Sequence, residues 1–292
     1  MHPASLSPAT IVGRYPLTSF FTLSYLLSWL AWTPYVLGTT GLGLLPINIP
    51  ELWGDAQTLG LLPGAYLGPI TAAFLVTALA YGRAGLREWG ARLIRWRVGL
   101  RWYLAVLVGV PVVYVATTLL LPGAWAGVQP PTAALVLAYV PMLLAQLLTT
   151  GLAEEPGWRD FALPLMQRRL GPLAGTLLLG VLWGGWHLPL FLTEWGGWPD
   201  VTWRMVGEFL VAAVALSVVM TWLFNRTGQS LPIVMLFHCG INSTATLVLA
   251  PMFPTLDPNT DSLTSLLLAS GVLAIGCLVA TRGRLGYRPD QA

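Results

Sequence analysis

The chain has 292 residues, of which 55% are hydrophobic and only 9% are charged. Soluble globular domains have about 25% charged residues, so this composition excludes a typical soluble domain. The formal net charge of +3 comes from 15 arginines, with no lysine in the chain.

Eight apolar segments recur along the chain, and each is long enough to cross a bilayer. A spanning helix needs roughly 20 apolar residues, because each residue rises ~1.5 Å and the hydrocarbon core is ~30 Å thick. Helices are predicted rather than a β-barrel, because the segments are long and continuously apolar. The predicted spans are 16–38, 58–82, 102–121, 133–153, 173–192, 205–225, 230–250 and 262–281. The fold class is therefore all-α, a polytopic integral membrane protein with a single transmembrane domain over residues 1–292.

Two polar stretches between the spans have features of their own. The connection 83–101 carries six arginines, and we expect it to lie along the lipid headgroups. Residues 158–170 place apolar side chains at helical spacing in front of two arginines, which predicts a short amphipathic helix at the cytoplasmic interface. Pro156 predicts a kink or a restart of the helix before this segment.

Arginines are distributed very unevenly between the two sides that the spans define. With a cytoplasmic start, 14 arginines fall on the cytoplasmic side and only Arg204 falls on the other. This is the bias of the positive-inside rule, and it predicts a multi-pass protein of the cell membrane with both termini in the cytoplasm. Topology then accounts for the positive charge, so no basic face remains for nucleic acid.

Ionisable residues inside spans are costly in lipid, so each of them is a candidate for function. Glu154 and Glu155 lie where the fourth span reaches the cytoplasmic side, and Arg159 follows Glu155 at the spacing of one helical turn. Taken alone, these residues are also consistent with two interfacial acids that Arg159 neutralises.

Two of the three histidines fall inside spans. His187 follows Trp183 by four residues, so the imidazole and the indole share a helix face. Asn242 follows His238 at the same spacing, and this pair presents hydrogen-bond donors in a fixed geometry, as a developing oxyanion requires. Each histidine alone is also consistent with a structural role. Together with Glu154 as a base, these residues suit attack by water on an amide carbonyl.

The series of polar residues resembles the motifs of the CAAX protease and bacteriocin-processing family, which contains the type II CAAX prenyl endopeptidases and is also called the Abi family. The resemblance covers about residues 145–247, and the family's usual Phe in the second motif is Trp183 here. The matching positions are Glu154 and Glu155 with Arg159, Trp183 with His187, and His238 with Asn242, together with the run 157–159 and the stretch 182–189.

The resemblance implies an intramembrane endopeptidase that hydrolyses a peptide bond of a membrane-associated peptide or protein. Its core would cover about residues 133–250, in helices four to seven. Its partners would be the lipid bilayer and a peptide or protein substrate, with or without an attached lipid. The implied catalytic residues are Glu154 and His187, which would activate water, and His238 and Asn242, which would hold the oxyanion. The implied supporting residues are Glu155, Arg159 and Trp183.

The role of a metal is open at this point. Glu154, His187 and His238 could hold zinc or another divalent ion with water as the fourth ligand. However, the chain has no His-Glu-x-x-His helix, and an oxyanion hole needs no metal. A glutamate-dependent mechanism without a metal cofactor is therefore favoured over a metal-dependent one. The alternative function is a non-proteolytic membrane scaffold or a bacteriocin-immunity protein.

The predicted span bounds leave a difficulty with depth. Measured from the cytoplasmic end of its span, His187 lies ~21 Å deep by helical rise, whereas Glu154 lies near the surface. The two residues meet better if helix five starts near Thr176 and helix four continues past Pro156. We then expect a cavity that opens to the cytoplasmic half of the bilayer.

Overall fold

The computed structural model describes residues 11–51 and 56–289, which form helices joined by short connections. Eight helices in these ranges are long and apolar enough to cross a membrane, which confirms an all-α, multi-pass membrane protein. The predicted cytoplasmic termini fall on residues 1–10 and 290–292, outside the described part of the chain. In chain order the helices are α1 (Pro16–Leu37), α2 (Gln57–Leu93), α3 (Leu100–Thr118), α4 (Ala133–Leu170), α5 (Pro172–Leu192), α6 (Trp203–Arg226), α7 (Leu231–Met252) and α8 (Thr260–Thr281).

Helix α2 continues 11 residues beyond its predicted end at residue 82 and bends there. Gly82 has φ 62° and ψ −156°, a backbone conformation that is essentially restricted to glycine. The residues after the bend form a separate helical segment that packs on α4. There the Trp89 indole Nε1 donates a hydrogen bond to the carbonyl oxygen of Pro156 at 3.0 Å.

Helix α4 also continues beyond its predicted end, through Pro156 to Leu170. The helix does not restart at this proline, because Glu155 keeps helical angles of φ −65° and ψ −32°. Two π-helical turns, Leu147–Gly151 and Pro156–Ala162, lie on either side of the two glutamates. Proline has no N–H to donate, and the wider π turn gives its ring room that an α-helix lacks.

Residues 156–164 lie inside the protein, in contrast to the predicted amphipathic helix at the interface, whereas the last three residues of α4, 168–170, are exposed. Trp158 is fully buried and Phe161 is 5% exposed. Both rings pack on Phe20 of α1, with centroid separations of 5.4 and 5.0 Å. The apolar face that predicted contact with the membrane interface contacts α1 instead, because the extended α4 passes between its neighbours.

The connections between helices gather at two ends of the helix bundle. The arginine-rich end contains the connections α2–α3, α4–α5 and α6–α7 and the residues after α8. There Ser230 donates to the carbonyl oxygen of Arg95 at 2.6 Å. The arginine-poor end contains the connections α1–α2, α3–α4, α5–α6 and α7–α8. There the backbone N–H of Glu194 donates to the carbonyl oxygen of Thr40 at 3.1 Å.

Small residues allow the helices that carry the polar groups to approach closely. A Cβ at Gly180 of α5 would lie 2.7 Å from the Cα of Val214 in α6. A Cβ at Gly157 of α4 would lie 2.6 Å from the carbonyl oxygen of Pro69 in α2. Such contacts are typical of membrane proteins, where helices associate through close van der Waals packing rather than through the hydrophobic effect, and small residues allow that packing. They bring α4 and α5 against the rest of the bundle.

Candidate active site

Glu154 lies on α4 between the two π-helical turns, and its side chain is held by an indole. Glu154 is 6% exposed. Its Oε2 accepts a hydrogen bond from Nε1 of Trp183 at 2.8 Å. A buried carboxylate needs such a partner, because its desolvation is otherwise uncompensated. The indole of α5 therefore fixes the position of the Glu154 carboxylate.

His187 lies where α5 changes from an α-helix, which ends at Trp186, to the 3₁₀ turn Leu188–Leu192. Its Nδ1 is 2.9 Å from the carbonyl oxygen of Trp183. Because a carbonyl oxygen only accepts, this contact places the hydrogen on Nδ1 and leaves the Nε2 lone pair available. Nε2 lies 4.0 Å from Oε2 of Glu154.

Three further aromatic rings pack against the His187 imidazole. Trp195 stacks parallel to it at 5.7 Å, and the rings of Trp186 and Phe209 meet it edge-on at 4.7 and 5.1 Å. These rings restrict the rotation of the imidazole. Because tryptophans near span ends usually lie at the membrane interface, their positions in the sequence do not indicate membership of the site.

His238 on α7 is paired with the second glutamate of α4. Its Nδ1 lies 2.8 Å from Oε1 of Glu155. This imidazole lies nearly perpendicular to the Trp183 ring, with ring centroids 5.2 Å apart. Glu155 therefore occupies one ring nitrogen of His238 and leaves Nε2 for another partner.

Arg159 closes this arrangement from the side of the arginine-rich end. Its Nε lies 3.4 Å from Oε2 of Glu155, and both side chains have no exposed surface. The guanidinium also donates from Nη2 to Oγ of Ser217 at 3.0 Å. Its Cζ lies 4.1 Å from the centre of the Trp183 ring, which is the geometry of a cation–π contact. Trp183 therefore contacts Glu154 with its edge and Arg159 with its face.

Ser217 on α6 is a member of this cluster that the motif comparison missed. It is fully buried, and its hydroxyl is the acceptor for Arg159. The signal that could have found it is weak: a serine in the middle of an apolar span needs a hydrogen-bond partner.

A cavity of about 500 Å³ brings the four residues expected to be catalytic to one surface. Glu154, His187, His238 and Asn242 all line it, whereas Glu155 and Arg159 lie behind its wall. The rest of the wall is mainly aromatic and aliphatic, with contributions from all eight helices. The arrangement therefore offers a carboxylate, two imidazoles and an amide to a molecule inside an otherwise apolar cavity.

The cavity reaches the surface at the arginine-poor end of the bundle. Its lining includes the exposed residues Asp257, Pro258 and Asn259 in the α7–α8 connection. The expected opening was on the opposite, arginine-rich side. The difference has a structural reason: α5 and α7 both run toward the arginine-poor end, and Glu155 with Arg159 fills the space on the other side.

The depth difficulty is resolved by the extension of α4. Glu154 is 16 residues before the end of α4, which corresponds to about 24 Å of helical rise. His187 is 15 residues after the start of α5, which corresponds to about 22 Å. The two helices meet at Gly171, so these residues lie at similar depth. Helix α5 itself starts at Pro172 rather than near Thr176.

The residues of the described ranges that could hold a metal ion differ in part from the expected set. The ligand atoms that lie within 4.8 Å of one another come from Glu154, Glu155 and His238. This set contains Glu155 in place of His187 from the expected set. Glu155 is already engaged by His238 and by the guanidinium of Arg159, and a second cation next to Arg159 would be repelled.

Residues 135–244 match the family model described as "Type II CAAX prenyl endopeptidase Rce1-like". The chain is also 28% identical over 108 residues to "CAAX prenyl protease 2" of Methanococcus maripaludis. That match covers 36% of this chain and 39% of the relative's length. All seven site residues that the motifs indicate fall inside the matched segment. Over residues 135–244, the resemblance to the type II CAAX prenyl endopeptidases of the CAAX protease and bacteriocin-processing family is thereby confirmed.

Proposed function

We propose that this chain is an intramembrane endopeptidase, in which Glu154 and His187 activate water for attack on a peptide bond. The observation that carries the proposal is the separation of 4.0 Å between Oε2 of Glu154 and Nε2 of His187 at the wall of one cavity. Hydrogen bonds between water and such atoms are about 2.8 Å long. One water molecule can therefore bond to both atoms at once.

In the proposed reaction, the water oxygen forms a bond to the carbonyl carbon while Glu154 accepts one of its protons. His187 holds the same water through the Nε2 lone pair. When the C–N bond breaks, the proton on Glu154 moves to the leaving nitrogen. The products are a carboxylic acid and an amine, which become a carboxylate and an ammonium group when the remaining proton is exchanged, so water is the only co-reactant.

His238 and Asn242 are the proposed donors to the oxyanion. The amide of Asn242 donates without any change of state. His238 donates from Nε2 only when both of its ring nitrogens carry hydrogen, because Nδ1 faces Glu155 at 2.8 Å. The Glu155 carboxylate stabilises that charged imidazolium, and Arg159 holds Glu155 in place. Glu155 and Arg159 are therefore positioning residues.

We propose that the reaction needs no metal. A metal at this site would take Glu155 as a ligand and would lie beside the Arg159 guanidinium. Activity is therefore expected to be unchanged by dialysis against a chelator. Loss of activity on chelation, with recovery on addition of Zn²⁺, would contradict this part of the proposal.

The proposed substrate is a membrane-associated peptide or protein. The similar protein of Methanococcus maripaludis is named a prenyl protease, and the wall of the cavity in this chain is mainly apolar. We therefore include substrates with an attached lipid as well as substrates with apolar side chains next to the cleaved bond.

The test compares the peptide termini in membranes of cells that carry the wild type, Glu154→Gln or His187→Ala. Both variants should accumulate uncut substrates that the wild type removes. The matched control is Glu51→Gln, which changes an exposed glutamate at the arginine-poor end. Identical termini in all strains, with a cellular phenotype that both variants retain, would instead support the scaffold or immunity function.

A further inference from the structure

The mouth of the cavity lies at one defined end of the molecule. At its inner part are Glu154 and His238, and at its outer part are exposed residues 257–259 together with Gly197 of the α5–α6 connection. Among the described residues, none from the connections at the arginine-rich end lines the cavity. A molecule from the aqueous phase therefore enters from the arginine-poor end.

The opposite side of the cavity is closed by packed side chains. Glu155, Arg159 and Trp158 have no exposed surface. Below them, Arg92 forms an ion pair with Asp160, whose side chain has no exposed surface either. Buried polar and aromatic residues thus lie between the active groups and the arginine-rich end.

The distribution of arginine assigns these two ends to the two sides of the membrane. Of the 15 arginines, Arg159 is buried within the bundle and Arg204 lies in the first turn of α6 at the arginine-poor end. The other 13 lie at or near the arginine-rich end. The positive-inside rule places the arginine-rich end in the cytoplasm, so the mouth faces away from it.

The surface around the mouth has the opposite charge. Arg204 is paired with Glu208 through a contact of 2.8 Å. Asp257 and Asp261 both line the cavity near its mouth. Hydrogen bonds from the backbone N–H groups of Thr260 and Asn259 lower the pKa of Asp257, so its carboxylate stays ionised. The acidic residues of this end in the described ranges are Glu51, Glu194, Asp200, Glu208, Asp257 and Asp261.

We infer that the cavity opens to the non-cytoplasmic face of the membrane and receives basic peptide segments that are exposed on that face. The substrates are then exported or membrane-anchored polypeptides, with positively charged residues near an apolar stretch. An acidic mouth concentrates such segments, and its effect decreases as salt is added. The inference that these segments are cleaved rests on the proposed function, whereas the direction of the opening does not.

The direction is tested by labelling single cysteines from outside intact cells. Cys239 and Cys277 are first replaced by alanine, since both native thiols are buried. Asn259→Cys then reports the mouth, and Ile94→Cys reports the arginine-rich end without removal of an arginine. A membrane-impermeant maleimide should label Asn259→Cys in intact cells, and Ile94→Cys only after the cells are permeabilised.

The reverse pattern, or equal labelling of both positions in intact cells, would overturn the inference. A cysteine in place of the cavity-lining Ala245 provides a second measurement. A small charged thiol reagent should reach it from the same side as Asn259→Cys. The labelling is repeated with Glu154→Gln, which removes the proposed base. An unchanged pattern there separates the direction of the opening from the hydrolytic function, because the labelling needs no cleavage.

Discussion

The buried ion pair between Glu155 and Arg159 allows a quantitative test of how the site is held together. The two charges are 3.4 Å apart, and neither side chain has exposed surface. At an effective dielectric constant of about 20, their attraction is about 5 kcal/mol. Removal of one partner from a buried pair typically destabilises a protein by about 3–5 kcal/mol, because the other charge is left without compensation.

The perturbation is a double-mutant cycle with Glu155→Met, Arg159→Met and the variant that carries both changes. Each single variant should lower the free energy of unfolding by about 3–5 kcal/mol. The double variant should be more stable than the sum of the single effects predicts, by a coupling energy of similar size. Methionine is suitable because it is flexible, apolar and close in volume to the residues that it replaces.

Unfolding by denaturant in detergent micelles measures stability, and cleavage of an identified substrate measures function. The double variant should regain stability but not activity, because His238 has lost the carboxylate that lies 2.8 Å from its Nδ1. Additive losses of stability would show that the two charges do not interact as described. Full activity of the double variant would show that Glu155 does not position His238.

Three further changes test other contacts. Trp183→Phe keeps an aromatic face for the guanidinium but removes the N–H that donates to Glu154. The loss of a hydrogen bond to a charged group, about 1.5–3 kcal/mol, should reduce kcat/KM at least tenfold. An unchanged kcat/KM would mean that the indole does not orient this carboxylate. Asp257→Asn should raise KM for peptides with added arginine about two- to threefold at low salt, whereas Asp200→Asn serves as a control outside the cavity lining. In the wild type, the folded-state pKa of Asp257 is depressed, so its charge should persist as pH falls and be lost only below the usual range of aspartate. If the preference for peptides with added arginine disappears near pH 6, another group is responsible for it. Gly157→Ala should destabilise the protein, because the added Cβ would lie 2.6 Å from a backbone oxygen of α2. The midpoint of denaturant unfolding measures this effect, and an unchanged midpoint would exclude the close approach.

The spans were predictable because hydropathy is a local property. A run of about 20 apolar residues specifies a helix in lipid without any information about its neighbours. The i, i+4 spacing likewise predicted that His238 and Asn242 share a face, and both residues line the cavity. These features depend on neighbouring positions within one helix.

The course of α4 beyond residue 153 was not predictable in this way. Pro156 and the arginines at 168 and 169 have the local signature of a helix end followed by an interfacial segment. The tertiary packing of Trp158 on α1, together with the π-helical turn at Pro156, overrides that signature. Local propensity is a weak guide where burial on all sides decides the conformation.

The end at which the cavity opens was also beyond the sequence. The motif residues indicate which helix faces meet, but not whether the space between them is filled above or below. Here Glu155, Arg159 and Ser217 fill one side, and their contacts join α4 to α5, α6 and α7. Ser217 in particular has no sequence neighbour that indicates its partner, which is 58 positions away.

The two π-helical turns of α4 have a consequence for comparisons of length among homologous chains. A π turn arises when one extra residue is accommodated in an α-helix, and each α-helical residue corresponds to a rotation of about 100°. Deletion of one residue within Leu147–Gly151 would restore a regular helix only by turning Glu154 and everything after it by that angle relative to the first half of α4. A homologous chain that lacks one position in this stretch but keeps its glutamates in the site would therefore have the first half of its α4 rotated. A different row of side chains from that half would then face the lipid.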